Sequence, residues 1–337
     1  MTYILAIESS CDETSMAIIG DGKVVESLTI LTQMDTHANF GGVVPEIASR
    51  MHTENITMVL ENTLKKSNIK MEEIDAIAVT YAPGLLGSLL VGVECAKVLS
   101  LVYNKPLIKV NHTMGHIFAN NIDYDIKYPS VCLTVSGGHT DLLILESPDE
   151  FKVLGSSVDD SIGEVFDKVA RVLDIKYPGG PNIEKLALEG KHHYEMPKIM
   201  NDDSYNFSFS GLKSYIINLA HNTRQKNEEL NKADLAYDFQ CTAVEELVHK
   251  TELALKNTDI KNFLLAGGVS ANKYLRGELI KLCEKYNVTF HAPDLVYCTD
   301  NAAMIGCAAY PLFLKKEFAD LSLKASSSES ISSIKKI

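Results

Sequence analysis

The sequence has no long apolar run and no paired pattern of cysteines. None of its apolar stretches reaches the ~20 residues that span a bilayer, and the opening M-T-Y-I-L-A-I-E leads into a predicted strand without a basic segment. The seven cysteines are odd in number and form no C-x-x-C pair, which argues against a disulfide framework. We therefore expect a protein without a membrane segment that stays in a reducing cytoplasm.

Positive charge is also scarce. The chain has 32 Lys and Arg against 44 Asp and Glu, a formal net charge of −12. This balance argues against nucleic-acid binding over the whole surface, so RNA would need a local basic patch or the help of a partner. The candidate segments for local RNA contacts are 50–52, Lys97 and 207–213, although core packing is the commoner role of Phe207 and Phe209.

The length and apolar content predict two domains. A chain of 337 residues that is 46% hydrophobic can bury a large core. Three predicted strands followed by alternating helices and strands occur twice, which is the plan of the actin/Hsp70/sugar-kinase (ASKHA) superfold, an α/β fold with a duplicated βββαβα core and a nucleotide between two lobes. We predict lobe I at 1–110, rejoined by a C-terminal helix at 300–322, and lobe II at 111–299, with a helical insertion at about 158–235. The Ser-rich tail 323–337 is predicted to be disordered.

Each predicted half opens with a strand, a polar turn and a strand. In Val131–Leu145 the turn is Ser136-Gly137-Gly138-His139, whose backbone amides can point at an anion. In Ile4–Ile19 the turn contains Asp12 and Glu13, acids that repel phosphate unless a metal or a proton intervenes. These turns predict a phosphate site that also involves a cation.

Two histidines have the spacing of metal ligands. His112 and His116 follow a predicted strand and lie at i and i+4 of a predicted helix, so both imidazoles share one face. Asp300 is a candidate third ligand, although an aspartate at the start of a helix serves equally well as an N-cap. For an isolated H-x-x-x-H, two unrelated polar histidines are the commoner case. The motif lacks the glutamate of H-E-x-x-H, which disfavours a zinc peptidase.

Three further segments suit a nucleotide. The turn 267–272, G-G-V-S-A-N, follows an apolar strand and opens a helix, and Asn272 can hydrogen-bond a base or a sugar. Gly180 in Y-P-G-G-P permits close packing against a ribose, and Glu184 is placed for sugar hydroxyls. Asp167 lies in the middle of a helical pattern, where solvent exposure is the default. Each of these segments also has a purely structural interpretation as an ordinary turn or helix start.

Taken together, the motifs resemble one enzyme family along almost the whole chain. E-S-S-C-D-E-T, G-G-V-V-P-E-I-A-S-R, P-G-L-L-G-S-L, N-H-x-x-G-H, S-G-G-H-T, F-D-K-V-A, Y-P-G-G-P, F-S-F-S-G-L-K, G-G-V-S-A-N and C-T-D-N-A-A-M occur in order from about Ile4 to Lys315. This set resembles the bacterial tRNA N6-adenosine threonylcarbamoyltransferases, the TsaD family, formerly called O-sialoglycoprotein endopeptidases.

The resemblance implies both a reaction and the residues that carry it. Threonylcarbamoyl would move from threonylcarbamoyl-AMP to N6 of adenosine 37 in tRNAs that read codons beginning with A. His112, His116 and Asp300 would hold one metal ion, with Fe²⁺ as the first choice and Zn²⁺ as the alternative. The substrate would be bound by Thr134, Val135, Ser136, Gly137, Gly138, Asp167, Gly180, Glu184 and Asn272. The implied partners are an inactive paralogue of the TsaB type and a small ATPase of the TsaE type, with no membrane.

The residues leave the catalytic base and the alternatives open. Asp12 is our candidate for a base or a group that orients N6. An ATP-dependent small-molecule kinase of the same superfold would explain the two turns but not the histidine pair. A non-catalytic scaffold would explain the acidic composition but not the retained metal ligands.

Overall fold

The computed structural model describes residues 1–200, 202–329 and 331. The strands within these residues are β1 (Tyr3–Glu8), β2 (Glu13–Gly20), β3 (Val24–Thr32), β4 (Ala76–Ala82), β5 (Leu107–Asn111), β6 (Ser130–Val135), β7 (Thr140–Leu145), β8 (Phe151–Ser156), β9 (Asn262–Ala266) and β10 (Thr289–His291). The helices are α1 (Met34–Ala38), α2 (Pro45–Ser67), α3 (Leu86–Tyr103), α4 (His112–Phe118), α5 (Asn120–Asp123), α6 (Ile162–Val172), α7 (Gly179–Ala187), α8 (Ser210–Gln225), α9 (Lys232–Asn257), α10 (Lys273–Tyr286), α11 (Leu295–Cys298) and α12 (Ala302–Lys315).

The chain forms two compact units, and each contains one five-stranded sheet. The first unit comprises residues 1–127, 148–150 and the chain from 293 onward, and the second comprises 128–147 and 151–292. The strand order is β3-β2-β1-β4-β5 in the first sheet and, in the equivalent direction, β8-β7-β6-β9-β10 in the second. In both, the first three strands are antiparallel and the last two run parallel to the first. The predicted duplicated βββαβα core is therefore confirmed.

The first sheet is apolar on both faces because helices cover both of them. Successive side chains of a strand point to opposite faces. Ile4 and Ala6 of β1 accordingly pack in one cluster with α12. Leu5 and Ile7 pack in another cluster with residues of α2 and α3. This double cover explains why β1 reads as a continuous apolar run rather than an alternating one.

The compact units differ from the predicted domains at two boundaries. Residues 111–127, which contain α4 and α5, belong to the first unit and not to the second, and so do 293–299. The physical reason is packing, because α4 lies against α12 and Phe118 of α4 joins the same apolar cluster as Met304 and Ile305 of α12. Strand order alone could not place a helix that follows the last strand of a repeat.

The tail predicted to be disordered is ordered in its described part, 323–329 and 331. Leu323 and Ala325 pack against the apolar cluster of the first unit. The backbone N–H of Ser326 donates to the carbonyl of Tyr81 at 2.9 Å, and the Tyr81 hydroxyl donates to Glu329 at 2.8 Å. The apolar residues interspersed among the serines provide contacts that composition alone does not reveal. Residues 330 and 332–337 lie outside the described residues.

Helix α3 is long and apolar enough to cross a membrane by length and composition alone. Core helices share this property, and Val93, Ala96 and Leu99 of α3 are buried in the apolar cluster that packs against the first sheet. The opposite side of the helix exposes large apolar residues, among them Leu101 and Val102, which are each 67% exposed. Helix α3 therefore has one packed face and one exposed apolar face.

Replacement of glycine by alanine should have opposite effects on stability at two positions inside helices. A Cβ on Gly306 of α12 would lie 2.9 Å from Cβ of Ile19, inside the core, whereas a Cβ on Gly277 of α10 would meet nothing within 4 Å. We expect Gly306→Ala to destabilise the protein by ~1–3 kcal/mol through overpacking. The control Gly277→Ala should stabilise it by about 0.5–1 kcal/mol through helix propensity. Urea unfolding followed by circular dichroism measures both, and a Gly306→Ala midpoint at or above that of the unsubstituted chain would contradict the packing.

Candidate functional site

The two predicted metal ligands on α4 lie side by side at the start of the helix. Asn111 is the N-cap, and its side chain accepts hydrogen bonds from the backbone N–H groups of Thr113 at 3.0 Å and Met114 at 3.3 Å. The helix therefore begins at His112, and its first turn brings His116 onto the same face. The centroids of the two imidazole rings are 4.6 Å apart.

Asp300 completes a cluster of three ligand atoms. Its Oδ1 is 3.4 Å from Nε2 of His112 and 3.2 Å from Nε2 of His116, and the candidate donor atoms all lie within 4.8 Å of one another. Donors that share one ion at ~2.0–2.2 Å have spacings of this size. Asp300 does not cap α12, because the side chain of Asn301 accepts the backbone N–H of Met304 at 3.0 Å. The alternative N-cap role of Asp300 is therefore wrong.

His116 has unused capacity at this cluster. The residue is 2% exposed, and neither ring nitrogen makes a hydrogen bond within the described residues, although Nε2 is close to Asp300. Buried polar atoms are normally satisfied, so this imidazole needs a partner. A metal ion is a suitable partner because it binds the lone pair of a neutral imidazole. Two imidazole nitrogens and a carboxylate oxygen suit Fe²⁺ or Zn²⁺.

A buried glutamate at the end of β1 orients His112. Oε2 of Glu8 is 3.0 Å from Nδ1 of His112 and accepts the Thr80 hydroxyl at 2.6 Å, and Oε1 accepts the Ser10 backbone N–H at 2.5 Å. Glu8 is fully buried. When Nδ1 donates to this carboxylate, Nε2 is left as the ligand atom facing Asp300. Such carboxylate–histidine pairs behind a metal fix the tautomer and the ring orientation.

The carboxylates around His112 make a positive charge favourable at this cluster. Burial opposes ionisation of His112, but the Asp300 and Glu8 carboxylates prevail and raise its pKa well above the ordinary value. Burial lowers the pKa of His116, and the neighbouring Asp300 carboxylate acts in the opposite direction. The two carboxylates therefore favour a positive charge at this position, which a bound cation would also supply.

The sequence interpretation did not select Glu8 as a site residue. The signal was available, because Glu8 is the acid that ends the apolar run I-L-A-I of β1. A carboxylate at the end of a fully buried strand needs a partner for its charge. The identity of that partner, His112, depends on β1 and β5 being separated only by β4 in the sheet.

The first turn adds further negative charge near the metal ligands. Asp12 is 6% exposed. Burial raises the pKa of Glu13 well above its ordinary value, and the charges of Asp300 and Asp12 raise it further. Burial followed by the same two charges raises the pKa of the Cys11 thiol. Asp12 and Asp300 therefore both raise the pKa values of Glu13 and Cys11. This concentration of negative charge agrees with the sequence prediction that the site also involves a cation.

In the second unit, the Ser136–His139 turn connects β6 and β7. The backbone N–H groups of Gly138 and His139 donate to the Ser136 hydroxyl at 3.3 Å and 3.0 Å. Two amides that the sequence assigned to phosphate are thus used to close the turn. Added Cβ atoms on Gly137 and Gly138 would meet nothing within 4 Å, so the backbone of the turn is open to a ligand.

The turn after β9 lies beside the Ser136–His139 turn. Thr134 of β6 pairs in parallel register with Ala266 of β9, so the carboxyl ends of the two strands are neighbours. Gly267 has φ +92°, and an added Cβ would lie 2.7 Å from the carbonyl carbon of Val135. Only glycine allows both this backbone conformation and this close approach. Val135 and the turn 267–272 are thereby held together.

Hydrogen bonds connect the elements that contain the remaining predicted substrate residues. Asp167 accepts the backbone N–H of Gly179 at 2.7 Å, which ties α6 to α7. Glu184 accepts the backbone N–H of Lys273 at 2.6 Å, which ties α7 to α10. Gly163 at the start of α6 donates its N–H to the carbonyl of Ser136 at 3.2 Å. The nine predicted substrate residues therefore belong to one connected group of elements at the carboxyl ends of β6 and β9.

Three of these residues have structural roles that differ from the sequence expectation. The Asn272 side chain accepts the N–H of Leu275 at 2.8 Å as the N-cap of α10 and donates to Gln240 at 2.9 Å. Gly180 lies in the first turn of α7 rather than in a separate rigid turn, and a Cβ there would meet nothing within 4 Å. Asp167 is engaged with Gly179 rather than fully exposed, because the chain before α7 folds back over α6.

The candidate RNA segments are mostly internal. His52 is buried, with Nδ1 2.7 Å from the Thr14 hydroxyl and Nε2 3.0 Å from the carbonyl of Cys11. Phe207 and Phe209 are fully buried, which confirms their role in core packing. Lys97 is paired with Glu94 at 2.8 Å. Arg50 is exposed, but it forms an ion pair with Glu46 at 2.8 Å. The sequence candidates therefore do not form a free basic surface.

Comparison with known proteins agrees with the motifs. The family model of tRNA N6-adenosine threonylcarbamoyltransferase, TsaD, matches residues 24–307. Proteins of that name from Staphylococcus saprophyticus and Staphylococcus haemolyticus are 49% and 51% identical to the chain over 323 and 310 residues. The alignments cover 96% and 92% of this chain and 94% and 91% of the relatives.

A solved structure supports the fold alone. Component A of (R)-2-hydroxyglutaryl-CoA dehydratase from Acidaminococcus fermentans has a TM-score of 0.55 at 13% identity and covers 92% of this chain and 98% of its own. Together with the duplicated sheets, this similarity agrees with the ASKHA superfold. From its family match, its near full-length relatives and its His-His-Asp cluster, the chain belongs to the TsaD family of tRNA N6-adenosine threonylcarbamoyltransferases.

Proposed function

We propose that this chain transfers the threonylcarbamoyl group from threonylcarbamoyl-AMP to N6 of adenosine 37 in tRNAs that read codons beginning with A. The observation that carries the proposal is the buried cluster of His112, His116 and Asp300 in a chain about 50% identical to enzymes of this name. No contact among the described residues gives this ligand set a role in a kinase of the same superfold.

We assign the adenylate to the second unit. Its phosphate and carbamoyl oxygens would meet the open backbone at Gly137 and Gly138, beside Thr134, Val135 and Ser136. The ribose and the adenine would contact Asp167, Gly180, Glu184 and Asn272. Support comes from the hydrogen bonds that connect these elements and from the open space at Gly180, where an added Cβ would meet no described residue within 4 Å apart from its chain neighbours and its own helix backbone.

His112, His116 and Asp300 would hold one metal ion, which we propose to be Fe²⁺, with Zn²⁺ as the alternative that the donor set also accepts. When bound, this ion supplies Lewis-acid stabilisation of negative charge that develops during acyl transfer. Glu8 holds His112 with Nε2 directed at the ligand position. The ordering of these side chains before any ligand arrives is the contribution of the protein.

The group transfer needs an acceptor for one proton. The lone pair of N6 forms a bond to the carbamoyl carbon, and the bond from that carbon to the phosphate oxygen breaks, so AMP leaves with the electron pair. N6 loses a proton in this exchange. We assign that proton to the Asp12 carboxylate, which is held in the acidic first turn of the unit that contains the metal ligands.

We also propose that the chain works with partners in the cytoplasm. The family resemblance suggests a TsaB-type paralogue and a TsaE-type ATPase, and the net charge of −12 fits poorly with an enzyme that binds tRNA alone. The exposed apolar residues of α3, which include Val98, Leu101 and Val102, support a protein partner. A paralogue of the same fold would have a corresponding helix to cover them.

The metal ligands are tested by the double variant His112→Ala with Asp300→Ala. We expect transfer to fall by at least about 100-fold, because charge stabilisation worth several kcal/mol is lost. The assay follows label from purified threonylcarbamoyl-AMP to adenosine 37 with the partner proteins present, and elemental analysis measures the bound metal. The matched control is His221→Ala with Asp259→Ala, since both residues are exposed. Full transfer by the metal-ligand variant would show that the metal role is wrong.

The role of Glu8 is tested by metal affinity rather than by activity. Glu8→Gln keeps the size of the side chain but removes the charge that orients His112, so we expect metal affinity to fall by about 10–100-fold. Competition with a chromogenic chelator under anaerobic conditions measures it. Glu61→Gln, at an exposed position of α2, is the control. Equal affinities of the two variants would argue against the positioning role.

Asp12→Asn tests the proton acceptor. An amide cannot take the N6 proton, so the single-turnover rate should fall by about 10²–10⁴-fold while the bound metal stays at one per chain. Asp35→Asn, at an exposed position of α1, should transfer normally. Turnover of the Asp12→Asn enzyme at the unsubstituted rate would remove Asp12 as the base.

A further inference from the structure

The second unit contains a cavity away from the predicted substrate residues. Its volume is about 560 Å³, and its walls come from α9, from residues 192–199 after α7, and from Tyr274 of α10. Binding sites for small molecules typically measure ~300–1,000 Å³. None of the nine predicted substrate residues lines it. The proposed transfer reaction therefore leaves this cavity without a role.

Glu246 lines the cavity, and one of its carboxylate oxygens is unsatisfied. The residue is 6% exposed, and Oε1 has no hydrogen-bond partner within the described residues. The buried ammonium group of Lys250 does not serve it, because it donates to the Asp202 carboxylate at 2.7 Å and the Asp202 carbonyl at 2.9 Å. An unpaired buried carboxylate oxygen is costly and needs an explanation.

A second buried carboxylate holds the opposite wall in place. Asp238 is 3% exposed. It accepts the backbone N–H groups of His193 at 2.9 Å and Tyr194 at 2.7 Å and lies 2.8 Å from Nδ1 of His192. The segment after α7 is thereby fixed to α9 on one side of the cavity. Three contacts of the buried Asp238 side chain therefore fix this wall of the cavity.

The remaining lining suits an organic body rather than a bare ion. Tyr194, Tyr237 and Tyr274 contribute aromatic rings, and Met196 and Ile199 contribute apolar surface. Aromatic faces attract cations and also pack against apolar groups. No second ligand atom accompanies Glu246 in a group suited to a metal, since the described residues form such a group only at His112, His116 and Asp300.

The charge in the cavity favours a cationic ligand. Glu245 and Glu246 line it, Asp238 is paired with His192, and Lys198 is the only lysine among the lining residues. Burial raises the pKa of Glu246 to about 7, with Asp202 and Glu245 adding to the effect and Lys250 opposing it. A positive group beside Oε1 would restore the ionised carboxylate.

We propose that this cavity binds a small organic ammonium ion with an aromatic or apolar body. Its N–H group donates to the Glu246 carboxylate, and its body lies against Tyr237 and Tyr274. The site is separate from the proposed transfer reaction, so each can fail without the other.

The direct test titrates the full chain with 2-phenylethylammonium at pH 8, where both the ligand and Glu246 are charged. Calorimetry should show saturable binding to one site, and the isosteric neutral 2-phenylethanol should bind at least about tenfold more weakly, since it lacks the charge-assisted hydrogen bond. Glu246→Gln should lose about tenfold in affinity for the ammonium ion. The control Glu284→Gln, at an exposed position of α10 that does not line the cavity, should change affinity less than about twofold.

A measurement without any variant guards against misfolding of Glu246→Gln. Cys241 lines the cavity, whereas the half-buried Cys95 lies on α3 in the other unit. Saturating 2-phenylethylammonium should slow alkylation of Cys241 by N-ethylmaleimide, as followed by peptide mass spectrometry, and leave Cys95 unchanged. Equal binding of the ammonium ion and the alcohol, or unchanged alkylation of Cys241 at saturation, would overturn the proposal.

Discussion

The contact between Glu8 and His112 joins the end of β1 to the start of α4, and the geometry of the metal ligands depends on it. The carboxylate is fully buried, so its charge must be balanced locally, and the imidazole 3.0 Å away provides that balance. The same contact directs the other ring nitrogen towards Asp300. A buried charge thus sets the orientation of a ligand, and a cation at the ligand position would complete the balance.

The duplicated sheet explains why different chemistry can occupy equivalent places. The turn between β1 and β2 and the turn between β6 and β7 have the same position in their sheets. The first contains Asp12 and Glu13 and lies with the metal ligands, whereas the second contains Gly137 and Gly138 and leaves its backbone open. Acids favour a cation, and an open glycine backbone allows an anion to approach closely. One inherited framework therefore supports two unlike binding surfaces.

The polar groups whose partners the sequence left open have a common feature. Asp300 and Asn301 are both good N-caps, and only the structure assigns the cap to Asn301. Asn272 offers polar atoms to a ligand, but it also caps α10 and contacts Gln240. The amides of Gly138 and His139 turn towards Ser136. In each case one polar group has several possible partners, and local sequence cannot choose among them because the competitors come from other elements.

By itself the sequence determined the repeated pattern of strands and helices, the i, i+4 spacing of His112 and His116, and the family to which the chain belongs, because periodicity and motif order are local properties. Only the tertiary structure decided that α4 packs with α12, which brings Asp300 to the histidines, and that β1 delivers Glu8 behind them. It alone decided that Oε1 of Glu246 is buried without a hydrogen-bond partner among the residues that the structure describes. These facts depend on contacts between residues far apart in the chain, where packing and the cost of burying charge select the partners.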